Sequence, residues 1–356
     1  MIDFFDHPLY QEDLRLITRS NFIPWEKLQD ASILISGATG LIGSCLTDSI
    51  VLLNQSRKLN CTVFALCRNW ERAIHRFGHY GSDSLLHIVE GDINDAVTLE
   101  GLPVCNYVLH LASNTHPVAY ATDPVGTVMT NILGTRNMLE FAADKASTRF
   151  LFASSNEIYG ENRGDCELFD ETYVGYIDCN TLRAGYPESK RCGESLCQAY
   201  RVQRGVDAVI ARLTRSFGPT LLSSDTKALS QFLRNGVAGE DIVLKSDGMQ
   251  YYSYTYVADA VTGLLLTLLQ GKDGEAYNIA DETCDIRLRD LAEMVAKASG
   301  TSVRFDVPNP TEQLGFSKAT KARLDGTKIR QMGWHAQYAL YTAVLRTIQM
   351  LRATVQ

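Results

Sequence analysis

"ISGATGLIGS", residues 35–44, places three glycines directly after a short apolar run and at the start of a predicted helix. Gly37 permits the tight turn, Gly40 lets the backbone approach a pyrophosphate, and Gly43 permits close packing of the helix. The amino end of that helix then faces the anion. The stretch predicts a dinucleotide site, with these candidate cofactor-binding residues: Gly37, Thr39, Gly40, Leu41, Ile42 and Gly43.

Apolar runs of similar length recur on both sides of this loop, separated by segments with helical periodicity. Continuous apolar strands that alternate with helices are typical of a parallel sheet covered on both faces. The runs lie at 32–37, 62–67, 87–92, 107–113, 149–155 and 207–213. We therefore predict an α/β fold, a Rossmann doubly wound parallel sheet with a smaller C-terminal substrate-binding lobe.

The chain has 356 residues, more than a single typical domain. We expect an N-terminal extension at 1–30 and the Rossmann dinucleotide-binding domain at 31–213. Residues 214–356 are expected to form mainly the substrate-binding lobe, with part of 254–280 returning to the Rossmann domain.

Composition excludes several classes of protein. The formal net charge of −7 argues against a nucleic-acid binder, which needs clustered Lys and Arg. No apolar run reaches the length of a bilayer span and no leader is evident at the start, so we expect no membrane partner and a cytoplasmic location. The nine cysteines are scattered without a paired Cys-x-x-Cys unit, so we expect neither a metal site nor a disulfide framework.

The end of the second predicted strand bears on the choice of cofactor. An acidic residue there normally grips the ribose hydroxyls of NAD, but "ALCRN" (65–69) contains none. Arg68 favours NADP through its 2′-phosphate, or is an ordinary solvated arginine. Asp92 either borders the adenine or forms a turn. The later strand ends add these candidate cofactor-binding residues: Ile93, Leu111, Ala112 and Ser113.

"RAGYPESKR" (183–191) resembles the active-site element Tyr-x-x-x-Lys of the short-chain dehydrogenase/reductase superfamily. A spacing of four residues sets Tyr186 and Lys190 on one face of a helix. A nearby ammonium is expected to lower the tyrosine pKa, so that Tyr186 removes a hydroxyl proton. The resemblance implies that Lys190 also holds the nicotinamide ribose.

"SSNEIYG" (154–160) resembles a segment of the extended branch of that superfamily, the nucleotide-sugar epimerases, 4,6-dehydratases and UDP-glucuronate decarboxylases. By this resemblance Ser155 bonds the sugar 4-hydroxyl beside the tyrosine. Glu157 takes the place of a carboxylate near the C5 and C6 side of the sugar. The alternatives are a strand-end cap for Ser155 and a solvated loop acid for Glu157.

The resemblance extends over most of residues 32–335, and the tract around Tyr186 is most similar to the UDP-glucuronate decarboxylases. That tract shares with them Arg183, the Lys190–Arg191 pair and Glu194. The resemblance implies a tightly bound NAD or NADP and a homodimer formed through helices beside the active site.

Three residues depart from the family pattern. Asn156 occupies the position of the acid that serves 4,6-dehydratases, which disfavours elimination of water. Arg215 replaces a usual Asn that helps to hold the nucleotide diphosphate, and Tyr252 replaces an Arg that pairs with it. Either the anion contact is relocated, or the substrate is not a standard UDP-sugar. The full set of candidate substrate-binding residues is His116, Tyr120, Asn156, Arg183, Arg215, Tyr252 and Arg323.

We predict a nucleotide-sugar-modifying enzyme that transiently oxidises sugar C4, with a decarboxylation like that of the UDP-glucuronate decarboxylases or a 4-epimerisation as its reaction. The alternatives are a nucleotide-sugar 4,6-dehydratase and an NADPH-dependent reductase of a ketosugar or another carbonyl compound. A noncatalytic dinucleotide binder is a further alternative, but it has no need of Ser155, Tyr186 and Lys190. The nucleotide base and the sugar are not specified by the sequence.

Overall fold

A computed structural model describes residues 4–81, 83–115, 117–306 and 320–355. Its strands, in chain order, are β1 (Ser32–Ser36), β2 (Thr62–Cys67), β3 (Leu86–Glu90), β4 (Tyr107–His110), β5 (Arg149–Ser155), β6 (Ala208–Leu213), β7 (Arg215–Phe217), β8 (Ile242–Leu244), β9 (Tyr251–Tyr256), β10 (Ala276–Ile279), β11 (Asp285–Arg287), β12 (Val303–Phe305) and β13 (Lys321–Ala322). The α-helices are α1 (Pro8–Arg19), α2 (Leu41–Arg57), α3 (Trp70–Phe77), α4 (Val97–Glu100), α5 (Pro117–Thr122), α6 (Pro124–Asp144), α7 (Gly185–Arg204), α8 (Ala228–Ala238), α9 (Val257–Gln270), α10 (Leu288–Ser299), α11 (Thr327–Arg330) and α12 (Leu340–Val355).

The central sheet has seven strands in the order β10-β6-β5-β4-β1-β2-β3. Every neighbouring pair in it is parallel. The six predicted strands are all present, although β3 and β4 end two and three residues earlier than their apolar runs. The predicted fold class is therefore confirmed, and β10 adds a seventh strand at the edge next to β6.

Strand β1 shows why the three central residues of its run are apolar. Ile33 and Ile35 belong to the core cluster on one face, together with Cys45 and Leu46 of α2. Leu34 belongs to the cluster on the other face, together with Met138 of α6. Successive side chains of a strand point to opposite faces, so consecutive residues of a strand that is buried on both faces tend to be apolar.

The first helix is tied to the rest of the chain by Asp13, which is fully buried. Its carboxylate accepts hydrogen bonds from the hydroxyls of Tyr256 (2.5 Å) and Tyr338 (2.7 Å). It also pairs with Arg346 of α12 at 2.6 Å. The N-terminal segment and the last helix thus share one buried carboxylate.

The smaller lobe carries two further groups of strands. Strand β9 pairs with β7, β11 and β13, and β8 pairs with β12. Helices α8, α10 and α12 pack against one another beside these strands. Within the described residues, no helix combines the length and the apolar character that a crossing of the bilayer would need.

Candidate active site

The glycine loop has the geometry of a phosphate cradle. Gly37 has a φ of 72°, and a Cβ there would lie 2.8 Å from the backbone nitrogen of Ala112. A Cβ on Gly43 would lie 2.3 Å from the carbonyl oxygen of Gly37. Gly40 precedes the 17-residue α2 without a side-chain cap, which leaves backbone N–H groups at the helix end for an anion. The loop therefore fits the pyrophosphate of a dinucleotide.

A cleft of about 930 Å³ begins at this loop and extends to the smaller lobe. That volume is at the upper end for ligand sites, as expected where a dinucleotide and a second molecule bind together. Most of the candidate residues line it. They are Gly37, Thr39, Gly40, Leu41, Ile42, Gly43, Arg68, Ile93, Leu111, Ala112, Ser113, Tyr120, Ser155, Asn156, Glu157, Arg183, Tyr186, Lys190, Arg215 and Tyr252.

Three candidates are not among the described residues that line the cleft. Asp92 accepts a hydrogen bond from the backbone of Asn94 at 2.9 Å, which is the turn-forming alternative. Arg323 pairs with Asp285 at 2.7 Å and with Glu167 at 3.2 Å, so two carboxylates already compensate its charge. His116 lies outside the described residues.

The end of the cleft beside β2 carries a second arginine that the sequence analysis missed. Arg68 and Arg72 both line the cleft and are both exposed. Asn69 caps α3 by accepting a hydrogen bond from the Arg72 backbone at 2.7 Å, which fixes the first turn. Although Arg72 is exposed, partial shielding of its guanidinium from water lowers its pKa, and the positive charge of Arg68 lowers that pKa further. The spacing of four residues between Arg68 and Arg72 is the sequence pattern that could have identified Arg72 as a second candidate.

Tyr186 lies buried at the start of α7, with its ring stacked on that of Tyr120 at a centroid distance of 4.8 Å. Burial raises the pKa of Tyr186, and the negative charge of Glu157 raises it further. Hydrogen bonds with Ser155 and Tyr120 and the positive charge of Arg183 act in the opposite direction. The pKa of Tyr186 is therefore raised and not lowered as expected, because burial outweighs the neighbours that lower it.

Lys190 is buried as well, and its Nζ donates to the carbonyl oxygen of Ala153 at 2.8 Å. The ammonium lies 4.8 Å from the centre of the Phe152 ring. Burial lowers the pKa of Lys190 to about 7, although the negative charge of Glu194 raises it. The lysine is thus poised to change its charge close to neutral pH.

A chain of hydrogen bonds connects Ser113, which lines the cleft, to the start of α7. Ser113 donates to Asn131 at 2.6 Å, and Asn131 donates to Ser189 at 2.8 Å. Ser189 in turn donates to the carbonyl oxygen of Tyr186 at 2.8 Å. The sequence analysis missed Asn131 because its two partners lie 18 and 58 residues away in the chain.

Arg191 and Glu194, two of the residues that carry the resemblance to the UDP-glucuronate decarboxylases, hold α7 in place. Glu194 receives both ends of the Arg212 guanidinium, at 3.0 and 2.7 Å, and a hydrogen bond from Ser154 at 2.5 Å. Arg191 donates to the carbonyl oxygens of Ile158 and Gly175, both at 2.7 Å. These contacts bind α7 to β5, to β6 and to the segment that follows β5.

Glu157 and Arg183 form an ion pair of 2.5 Å beside Tyr186. The Arg183 guanidinium also lies 4.8 Å from the centre of the Tyr120 ring, and the Arg183 Nε is buried without a partner among the described residues. Asn156 is buried next to this pair at the start of a short 3₁₀ helix. The two side chains thus place a carboxylate and a guanidinium at one wall of the cleft.

Two further arginines line the part of the cleft formed by the smaller lobe. The Arg215 guanidinium lies 3.4 Å from the centre of the Tyr252 ring, so the two departures from the family pattern are in contact. Arg234 on α8 was not a candidate, since nothing local distinguishes it from a surface arginine. In the described residues, Nη1 of Arg215 and Nη1 of Arg234 are buried without a hydrogen-bond partner.

Comparison with known proteins agrees with this geometry. The family model described as the NAD dependent epimerase/dehydratase family matches residues 33–280. A UDP-glucuronic acid decarboxylase 1 from Xenopus tropicalis is 33% identical over 327 residues, 91% of this chain and 73% of that relative. A UDP-glucuronic acid decarboxylase 4 from Arabidopsis thaliana is 28% identical over 309 residues, and the chain spans only 66% of its length.

A solved structure of a dTDP-glucose 4,6-dehydratase from Streptomyces venezuelae, with NAD bound, is 25% identical and has a TM-score of 0.77. The match covers 90% of this chain and 97% of that one. These findings confirm the predicted resemblance to enzymes that modify nucleotide sugars, and the predicted enzyme class of the extended short-chain dehydrogenase/reductase type. The chain belongs to the NAD dependent epimerase/dehydratase family.

Proposed function

We propose that the protein oxidises C4 of a nucleotide sugar transiently and that its reaction is a decarboxylation of the UDP-glucuronate type. One observation carries the proposal. Tyr186, beside Ser155 and one helical turn before Lys190, lies buried in a cleft that begins at a glycine-rich phosphate cradle. A phenol, a hydroxyl and an amine in this arrangement serve proton transfer at a carbinol.

The residues of the cleft divide the work. Tyr186 accepts the proton of the C4 hydroxyl, and Ser155 orients that hydroxyl by a hydrogen bond. The bound nicotinamide cofactor supplies the hydride acceptor, and later the donor, for this carbon. Because burial raises the pKa of Tyr186, its phenolate depends on the groups that lower that pKa, and these are Ser155, Arg183 and Tyr120.

The second stage depends on what C5 carries. A 4-keto sugar with a carboxylate at C5 is a β-keto acid and loses carbon dioxide, and the Glu157–Arg183 pair adjoins the site of this step. A 4-keto sugar without that carboxylate would instead be reduced on its other face, which is epimerisation. The amide of Asn156 is not acidic enough to protonate a departing 6-hydroxyl, which counts against dehydration.

The cofactor is proposed to be bound tightly and to be NADP rather than NAD. The support is the pair Arg68 and Arg72, whose mutual repulsion a 2′-phosphate would relieve, and the lack of an acid at the end of β2. Gly37 and Gly43 fit the pyrophosphate of either cofactor.

We also propose a homodimer. Helices α6 and α7 pack together beside the cleft. They carry exposed apolar side chains, Val125 (73% exposed), Met129 (42%) and Val202 (88%). A second copy of the chain would cover them. All nine cysteines are free, which supports the further proposal of a reducing, cytoplasmic location.

The experiment identifies the cofactor released from the denatured protein and screens UDP-, GDP-, CDP- and dTDP-sugars by mass spectrometry. Loss of the mass of carbon dioxide supports decarboxylation, and a product of unchanged mass supports epimerisation. A reductase would consume NADPH stoichiometrically, whereas the proposed enzyme gives no net change in absorbance of the nicotinamide. Tyr186→Phe should lower turnover by about 10²–10⁴-fold. Retained turnover would refute the role given to Tyr186.

A further inference from the structure

Arg215, unlike Arg183 on the same wall of the cleft, has no acidic partner among the described residues. Within the described part of the chain its close contact is the face of the Tyr252 ring, 3.4 Å from the guanidinium carbon, and no carboxylate pairs with it. Its Nη1 is buried without a hydrogen bond. A buried guanidinium nitrogen without a partner is unusual in folded proteins, and a ligand atom is the simplest explanation of it.

The position of Arg215 places that ligand atom near the sugar. A side cavity of about 60 Å³ adjoins the main cleft, and Arg215 lines both of them. Asn156, Glu157 and Arg183 line both as well. Burial raises the pKa of Tyr252, Arg215 and Arg183 lower it, and Glu157 raises it. The Arg215–Tyr252 pair therefore lies within electrostatic reach of Glu157 and Arg183. Arg234 lines the main cleft but is not among the residues of the side cavity.

Four residues line both the cleft and the side cavity, and three of them are charged: Glu157, Arg183 and Arg215. Glu157 and Arg183 compensate each other across 2.5 Å. That leaves the charge of Arg215, which in the described residues pairs with neither Glu161 nor Asp178, the two acids that line the side cavity alone. A carboxylate is the group that suits it, because the planar fork of a guanidinium binds both carboxylate oxygens at once. The Tyr252 ring, stacked against the guanidinium plane, holds the fork in one orientation.

We propose that Arg215 binds a carboxylate on the sugar and selects uronates over neutral hexoses, a proposal that rests on the function proposed above. Arg215, which stands where the family has an Asn near the diphosphate, would thus contact the sugar and not the diphosphate. Arg234, which lines the cleft but not the side cavity, remains for the diphosphate.

The test is a pair of titrations by calorimetry, with UDP-glucuronate and with UDP-glucose, on protein that carries its cofactor. Arg215→Gln should weaken binding of UDP-glucuronate by about 10–100-fold, the usual effect of losing hydrogen bonds to a charged group. Binding of UDP-glucose should change by less than about 3-fold, because a neutral sugar does not use the guanidinium charge. Arg215→Lys keeps the charge without the fork and should retain part of the preference.

Arg234→Gln is the matched control, since it removes a second arginine with a buried unpaired nitrogen from the same cleft. It should weaken both ligands by a similar factor. Equal losses for the two ligands in Arg215→Gln would assign Arg215 to the diphosphate and overturn the proposal. Wild-type protein that binds the two compounds equally well, or binds neither, would overturn it too. Loss of the uronate preference in Arg215→Gln supports the role of Arg215 even if no product forms. The lack of a product would then count only against the proposed reaction.

Discussion

Replacing both arginines at the end of β2 tests the choice of cofactor most directly. In the double variant Arg68→Gln and Arg72→Gln the cleft keeps its glycine loop and its polar side chains but loses two positive charges. NADP and NAD differ at this end only by the 2′-phosphate. We therefore expect the variant to lose affinity for NADP and to keep its affinity for NAD.

The size of the effect follows from the exposure of the two side chains. A hydrogen bond to a charged group contributes about 1.5–3 kcal/mol when it is shielded from water. Arg68 and Arg72 are both exposed, so screening by water and salt reduces each contact to about 1 kcal/mol. Two such contacts correspond to about 30-fold in the dissociation constant for NADP, and one of them to about 5-fold.

The assay is calorimetric titration of cofactor-free protein with each dinucleotide at low and at physiological salt. The NADP preference of the wild type should shrink as salt rises, because the contacts are exposed. Lys58→Gln with Lys297→Gln is the control, since it removes two exposed charges that do not line the cleft. A wild type that prefers NAD, or a double variant that loses both cofactors equally, would refute the reasoning.

Three further outcomes are expected. Burial lowers the pKa of Lys190 to about 7, whereas a lysine in the unfolded chain titrates near 10.4. Between these two pH values the unfolded state binds more protons, so the free energy of unfolding should rise with pH. Lys190→Met should lack that rise in urea unfolding, and equal slopes of unfolding free energy against pH in the variant and the wild type would contradict the prediction. Asp13→Ala removes the buried carboxylate that pairs with Arg346 and accepts from Tyr256 and Tyr338, and should cost about 3–5 kcal/mol of unfolding free energy. Glu12→Ala removes only the exposed partner of Arg346 and should cost less than ~1 kcal/mol. Val125→Asp with Met129→Asp should give a monomer in sedimentation equilibrium, and a wild-type monomer would exclude the dimer.

The parts of the fold that follow from local pattern could be predicted from the sequence. Gly37 and Gly43 predict the phosphate cradle because a Cβ at either position would collide with backbone atoms. The apolar run at 32–37 predicts a strand buried on both faces. The spacing of Tyr186 and Lys190 likewise predicts a shared helical face. Each of these inferences uses residues that are neighbours in the chain.

What the sequence did not yield depends on contacts between distant residues. Arg323 is a cation like any other in the sequence, yet Asp285 and Glu167, 38 and 156 residues away, already compensate it. The pKa of Tyr186 went the opposite way to the expectation because its burial depends on several elements at once. The partner of Asp13 on α12 lies 333 residues away. Charge balance inside a fold therefore has to be read from the structure.

The distribution of charge along the cleft connects these points. The chain as a whole is acidic, with a net charge of −7, yet its cleft carries Arg68 and Arg72 at one end and Arg215 and Arg234 in the smaller lobe. In the described residues neither Arg215 nor Arg234 pairs with a carboxylate, and each has a buried nitrogen without a partner. Unpaired buried cations lower stability, so a fold retains them where bound anions neutralise them. A nucleotide cofactor and a charged nucleotide sugar supply such anions, and on this argument their binding should stabilise the folded chain.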